Sequence, residues 1–307
     1  MEKTQKKVKD PNYKKYQHIE HFGKKHTYGI LEGTVEVFTK VDGTNGKIWM
    51  KDGVICAGSR NHQLDEKETN RGFYTWAVSS DEIKRYFEKY PDDILYGEWL
   101  VQHQEKYHPN SYNTYYVFDV VTIVDDHTIY QLYDIYSKKL DEFKIQYIPC
   151  LAKLDNPNPE DMYAFLDKAT FLKENNEPGE GIVIKNYGYK NKYGRQTWAK
   201  IIRSDFKKKK KEKVTKSLKP VNEQKFVDDY FTEHYCRKEM LKFLHEKNVD
   251  VWDNKFLKEF VPMVFQEIIS EEFADFLFTF KKPPTINFGT IRCFMYRKVM
   301  EFASAKE

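Results

Sequence analysis

Cysteine is scarce: Cys56, Cys150, Cys236 and Cys293 are the only four, they lie far apart, and no two form a C-x-x-C pair. That pattern offers neither a disulfide framework nor a zinc ligand set, and it predicts isolated thiols in a reducing compartment. No apolar run is long enough to span a bilayer, and the charged segment 1–10 has no apolar core behind it. The sequence therefore predicts a soluble, intracellular protein, a monomer with no membrane partner. No internal repeat of useful length occurs. The nine histidines, His103 and His108 among them, show no metal-ligand spacing and no triad partner, so the sequence assigns them no role.

What the chain has in quantity is charge and aromatic surface. Charged residues make up 32%, the net charge is +4, and Tyr and Phe number 22 each. A mildly basic, aromatic-rich chain suits a partner that offers phosphates and bases, without requiring one. At 307 residues it can bury a sizeable core and accommodate two domains.

The first two-thirds read as strands. Val35, Val37, Thr39 and Val41 alternate with Glu36, Phe38 and Lys40, which places Lys40 at a strand end. The turn Asp42-Gly-Thr-Asn-Gly46 returns the chain into a strand from Lys47 to Lys51, and Asp52-Gly53 leads into Val54 to Ala57, a hairpin signal. Further strands are expected at 94–100, 114–124, 181–185 and 197–202, with helices near 80–89, 132–144 and 159–173. From about Val221 the apolar residues recur at helical spacing, as in Phe226, Tyr230, Phe231, Met240, Leu241, Phe243 and Leu244. The expected fold class is α+β: an antiparallel-sheet domain over 1–206, a basic linker over 207–220, and a small all-α domain over 221–307. The lysine run from Lys207 to Lys213 is as well suited to a solvated connector as to contact with a nucleic-acid backbone.

One segment, Lys40-Val-Asp-Gly-Thr-Asn45, puts an amine, a carboxylate and an amide within a single strand-to-turn element. An unprotonated lysine there could attack phosphorus. Taken alone, such a string is more often a solvated turn. It is followed, in order, by Gly58-Ser-Arg-Asn61, Tyr96-Gly-Glu-Trp99, Tyr116-Val-Phe-Asp-Val120, Glu180-Gly-Ile-Val-Ile-Lys185 and Trp198-Ala-Lys-Ile-Ile202. This series resembles the ordered motifs of the covalent nucleotidyltransferase superfamily, and Asn45 resembles the RNA ligases within it, including the phage nick-sealing and trypanosome editing ligases.

The resemblance implies an ATP-dependent ligase that joins RNA 5′-phosphate and 3′-hydroxyl ends, in nicked duplex or otherwise, with ATP as substrate and Mg²⁺ or Mn²⁺ as metal. By it, Lys40 is the nucleophile that carries AMP, and Asp42, Glu98 and Glu180 are carboxylates that hold the metal through water. Glu98 also accepts a ribose hydroxyl. Thr39 borders the adenine edge through its backbone, Asn45 contacts the reacting phosphate, and Arg60 touches ribose or the RNA 5′-phosphate. Phe118 stacks on adenine and Val183 walls its other side. Lys185 faces phosphates or RNA, and Lys200 holds the α-phosphate. The sequence departs from the family's K-x-K pattern at Ile202, which is followed by Arg203. Whether Arg203 replaces the missing cation stays open, because a strand alternates its faces. A DNA ligase, a capping guanylyltransferase and an inactive RNA-binding relative remain alternatives.

Overall fold

The computed structural model describes residues 15–103, 105–125, 127–203 and 222–304. The chain divides into two compact units, one comprising Met1–Ile19 and Gly29–Lys200, the other Glu20–Tyr28 and Ile201–Glu307. The expected connector 207–220, with its lysine run, lies outside the described residues. The assignment of 20–28 to the second unit has no signal in the sequence.

The strands form two five-stranded sheets. One has the order β1-β10-β9-β2-β8, from β1 (Ile19–His21), β2 (Thr34–Lys40), β8 (Cys150–Asp155), β9 (Gly181–Lys185) and β10 (Trp198–Ile202). The other has the order β4-β3-β5-β6-β7, from β3 (Thr44–Lys51), β4 (Val54–Gly58), β5 (Asp93–Trp99), β6 (Tyr115–Val124) and β7 (His127–Tyr130). β2 pairs antiparallel with β8 and β9, and β3, β5 and β6 each pair antiparallel with their neighbours. The chain passes from the first sheet to the second in the three residues Val41, Asp42 and Gly43, between β2 and β3. The expected α+β class is therefore what the protein has.

Strand alternation divides the core of the second sheet between its two faces. Ile48, Leu95 and Val120 pack with α1 (Phe73–Ser79), α2 (Asp81–Lys89) and α3 (Tyr133–Glu142) through Phe73, Tyr86, Phe87, Tyr136 and Leu140. Their neighbours Trp49, Ile94, Tyr96 and Val121 turn the other way and pack with Val183 and Trp198 of the first sheet. The helices are delimited by local chemistry. Ser80 caps α2, its hydroxyl accepting the Ile83 N–H, with Asp81 and Glu82 in the first turn and Lys89 in the last. The helix expected over 159–173 is shorter: α4 (Pro159–Ala164) gives way to one 3₁₀ turn (Phe165–Asp167), and Leu172 adopts a positive φ of 64° that no helix continues through.

The second unit packs α5 (Asn222–Tyr230), α6 (Glu233–Glu246), α7 (Leu257–Phe278) and α8 (Phe288–Ser304) around one apolar core. Phe226, Phe260, Phe276, Ile291, Met295 and Val299 are completely buried in it. Truncating one of the phenylalanines would cost about 3–5 kcal/mol. Residues 20–28 pack on this unit: Lys24 Nζ donates to Tyr230 Oη at 3.1 Å, Lys25 Nζ lies 4.3 Å from the centre of the Phe278 ring, and His21 and His26 stand 3.5 and 3.8 Å from Glu272 and Asp275. Among the described residues no helix is long and apolar enough to cross a membrane.

Candidate active site

β2 ends at Lys40, where the chain leaves one sheet for the other. β9 pairs beside it with Lys40 opposite Gly181, so Glu180, one residue before the strand, is brought against the lysine. Lys40 Nζ donates to Glu180 Oε2 at 2.7 Å, with 18% of the lysine side chain and 4% of the glutamate side chain exposed. Little solvent is left to screen the pair. Strand alternation turns Thr39 to the opposite face, where it is 2% exposed and its hydroxyl has no hydrogen-bond partner among the described residues. Only its backbone can border the Lys40 side.

The turn that follows is held tightly. The Gly43 N–H donates to Glu98 Oε1 at 3.0 Å, and a Cβ at Gly43 would stand 2.6 Å from the Trp99 carbonyl oxygen, so only glycine fits this approach. Asn45 and Glu98 are cross-strand partners in β3 and β5. β3 and β5 thus place Glu98 and Asn45 together on the second sheet, next in sequence to the lysine that ends β2 on the first.

Asp42, expected to hold a metal through water, is enclosed. Its side chain is fully buried, His103 Nδ1 stands 3.7 Å from Oδ1 with its own ring fully buried, and the Glu105 N–H donates to Oδ2 at 3.4 Å. The Asp42 N–H donates to Tyr107 Oη at 2.7 Å. His103, Glu105 and Tyr107 surround this carboxylate. Glu105 in turn accepts from Lys173 Nζ at 2.7 Å. Sequence reasoning assigned His103 nothing because its partner lies 61 positions away in a different element.

Phe118 is half-buried in β6 and shares an apolar cluster with Val183. Tyr16 lies edge-on to the Phe118 ring, with centroids 4.9 Å apart, and 4.9 Å from Tyr96. Beneath this cluster is fully buried Asp119. It accepts from Tyr16 Oη, and Tyr187 Oη and Trp198 Nε1 donate to it at 3.4 and 3.2 Å. Lys185 completes the group. Its Nζ is 2.9 Å from Asp119 Oδ1 and 2.5 Å from the Phe118 carbonyl oxygen, and it is 2% exposed. Burial pulls the Lys185 ammonium below its ordinary range, against the opposing pull of Asp119. Lys185, expected at phosphates or RNA, is instead enclosed with Asp119 beneath the ring of Phe118. Burial and the Asp119 charge push the Tyr16 hydroxyl far above its usual range, so it remains a donor.

Arg60 is half-buried in the tight turn after β4, closed by the Ser59 N–H to His62 carbonyl bond at 2.9 Å. Lys200 is half-buried in β10 between buried Ala199 and Ile201, and makes no ion pair among the described residues. Ile202 is buried at 9% exposure and is the last residue of β10, so half-buried Arg203 lies beyond the strand rather than on it. Lys47, not anticipated, is 1% exposed on β3, on the same face as Asn45, with Nζ 4.4 Å from the Trp49 ring centre.

The strands carrying this geometry are those matched by the family model for RNA ligase, which spans residues 33–202, more than half of the chain. The chain belongs to the RNA ligase family. Among solved structures it is similar to a Naegleria gruberi RNA ligase with PPi, at 21% identity over 63% of this chain and 58% of that one, with a TM-score of 0.45. It is also similar to variants of that ligase with ATP and Mn (19% identity, 66% and 60% covered, TM-score 0.48) and with AMP and Mn (19%, 63% and 59%, 0.46). The chain spans about three-fifths of the length of these structures. No curated protein matches it.

Proposed function

We propose that this member of the family is an ATP-dependent RNA ligase that stores AMP on Lys40 and joins an RNA 5′-phosphate to a 3′-hydroxyl, as the nick-sealing and editing ligases do. The observation that carries the reading is the Lys40–Glu180 pair at the crossing between the two sheets. A carboxylate at 2.7 Å stabilises the ammonium, whereas attack requires the neutral amine. Glu180 Oε2 orients the Lys40 amine, whose proton leaves to solvent as Nζ turns to the phosphorus. In the first step Lys40 Nζ bonds to the α-phosphorus of ATP, the bond from that phosphorus to the bridging oxygen breaks, and pyrophosphate leaves with the electron pair. AMP then passes to the RNA 5′-phosphate, and the 3′-hydroxyl displaces it as the phosphodiester forms.

Nearly all the help such a transfer needs is positioning and charge. Lys200 on β10 supplies charge for the α-phosphate, Asn45 and Arg60 meet the reacting ends, Phe118 and Val183 receive the adenine, and the Thr39 backbone borders its edge. Hard oxygen donors suit Mg²⁺ or Mn²⁺, and Glu98 and Glu180 supply them on either side of the Lys40 turn. A bound ion would neutralise phosphate charge there. Enclosed Asp42 instead holds the turn, and Lys185 and Asp119 hold the strand under Phe118. The adenylation steps belong to 1–206 and the RNA steps draw on 221–307.

Incubation with ATP labelled on the α-phosphate and a divalent cation should give an acid-labile labelled protein, since phosphoramidates hydrolyse in acid. Lys40→Ala should abolish the label, and Glu180→Gln should slow its formation at least about 100-fold. Labelling from GTP in place of ATP would contradict the choice of nucleotide, and labelling of Lys40→Ala the choice of nucleophile.

A further inference from the structure

Alternation along β6 breaks at a defined place. Across β5, Tyr96 pairs with Asp119 and Gly97 with Val117, so Phe118 has no partner on that strand and is the extra residue of a β-bulge. Val117 and Val120, on either side of the pair 118–119, both pack with the helices, whereas Phe118 and Asp119 both turn to Tyr16 and the first sheet. The bulge therefore brings an aromatic ring and a carboxylate out side by side, which an unbroken strand cannot do. Opposite it, Gly97 makes the room: a Cβ there would stand 2.6 Å from the Tyr115 ring and 2.7 Å from the Tyr116 carbonyl oxygen.

The bulge leaves Phe118 unpaired on β5, and its carbonyl oxygen receives side-chain donors from two different elements. Lys185 Nζ, on β9, donates to it at 2.5 Å from the first sheet, and Tyr136 Oη, on α3, donates to it at 3.2 Å from the helix side. Tyr136 is completely buried. Burial, together with the charge of Asp119, pushes its hydroxyl far above the usual range, so it stays a donor. A buried tyrosine must bond some acceptor, and for many that is the whole of their role. What sets Tyr136 apart is its acceptor, the main chain of the residue whose ring receives the adenine in the function proposed above.

We propose that Tyr136 is a positioning residue for the nucleotide: by holding the bulged Phe118 carbonyl from the helix side, with Lys185 as the second donor, it fixes the plane of the ring on which adenine stacks. This role rests on Phe118 receiving the adenine; the bulge and its two donors do not. Stacking depends on the angle and offset of the two rings. With one donor gone the Phe118 peptide is freer to rotate and carries its ring with it. Loss of the hydroxyl therefore weakens the hold on the base and leaves the phosphate contacts at Lys40 and Lys200 as they were.

The test uses the full chain and single-turnover labelling with ATP. Tyr136→Phe keeps the buried ring and removes only the hydroxyl, and Lys185 still satisfies the carbonyl. The variant should raise the ATP concentration for half-maximal labelling about five-fold or more, while the maximal rate changes less than about two-fold. The pyrophosphate concentration that half-saturates reversal of the adduct should not move, because pyrophosphate carries no base. Phe118→Ala alone should raise the ATP requirement about ten-fold or more, and in that background Tyr136→Phe should add less than about two-fold, since residues acting through one ring are not additive.

An unchanged ATP requirement in Tyr136→Phe, with Phe118→Ala impaired, would overturn the role of Tyr136 and leave Phe118 as the adenine platform. An equal rise with and without the Phe118 ring would also overturn it, because Tyr136 would then be core and nothing more. An unchanged ATP requirement in Phe118→Ala would remove the platform itself, and the role of Tyr136 with it. Should Tyr136→Phe fail to fold, 4-methylphenylalanine in place of Tyr136 fills the same volume without a donor, and carries the same expectation and the same refutation.

Discussion

His103 and Asp42 show how burial changes what a motif residue can mean. In the sequence one is an unassigned histidine and the other a motif carboxylate beside the nucleophile. In the fold they are two fully enclosed side chains 3.7 Å apart, with Asp42 two residues from Lys40. The Asp42 N–H also donates to Tyr107 Oη, so His103 and Tyr107 flank the exit of the chain from Lys40. We propose that His103 positions Lys40 through the turn. His103→Ala should lower the rate of lysine adenylation about ten-fold or more, since small misplacements of a nucleophile are expensive, while the ATP concentration for half-saturation changes little. His103→Asn should recover part of the rate. Equal losses in both variants, accompanied by equal drops in melting temperature, would show that His103 is only core. Motif order brings Lys40, Glu98, Phe118, Glu180 and Lys200 into view from the sequence. It cannot show Tyr16 donating to Asp119, or Lys185 enclosed, because those bonds join elements 103 and 66 positions apart and depend on which face each strand buries.

Strands with strong period-two patterns were legible: β2, β3, β4, β5, β6, β9 and β10 lie within a few residues of the expected positions. β8 was not. Its sequence Cys-Leu-Ala-Lys-Leu-Asp interrupts alternation, and it is recruited by pairing with β2, a tertiary effect that no local propensity carries. β7 was missed because it is a short, exposed edge strand. Gly43, between β2 and β3, and Gly53, between β3 and β4, test how much of the site belongs to the elements themselves. Gly43→Ala places a Cβ 2.6 Å from the Trp99 carbonyl, so the turn must lift off β5 and carry Lys40 with it. The variant should lose about 1–3 kcal/mol of stability and about 100-fold in adenylation rate. Gly53→Ala has open space around its Cβ but a φ of 75°, and should cost about 1–2 kcal/mol with adenylation unchanged. Denaturant melts and single-turnover labelling separate the two. Equal adenylation rates in both variants would mean that the turn does not position Lys40.

The two units are more entangled in sequence than a simple succession of domains, because residues 20–28 belong to the second unit while 29–200 return to the first. A boundary placed only after the last motif misses this, since nothing in the composition of 20–28 announces a change of partner. Its contacts are with side chains more than 200 positions away, Tyr230, Glu272, Asp275 and Phe278. A chain ending at Arg203 keeps every residue proposed to bind ATP and loses all four of those partners. In the full chain Lys24 is bonded to Tyr230 and Lys25 lies over the Phe278 ring, so both should resist trypsin; in the shortened chain both should be cut early. The shortened chain should still form the lysine adduct from ATP, at a rate within about three-fold of the full chain, while failing to bind RNA with full affinity. Peptide mapping after brief digestion, together with single-turnover labelling, measures both outcomes. Resistance at Lys24 and Lys25 in the shortened chain would show that the sheets alone can hold 20–28. A folded shortened chain that makes no adduct would place part of the first chemical step in the helical unit.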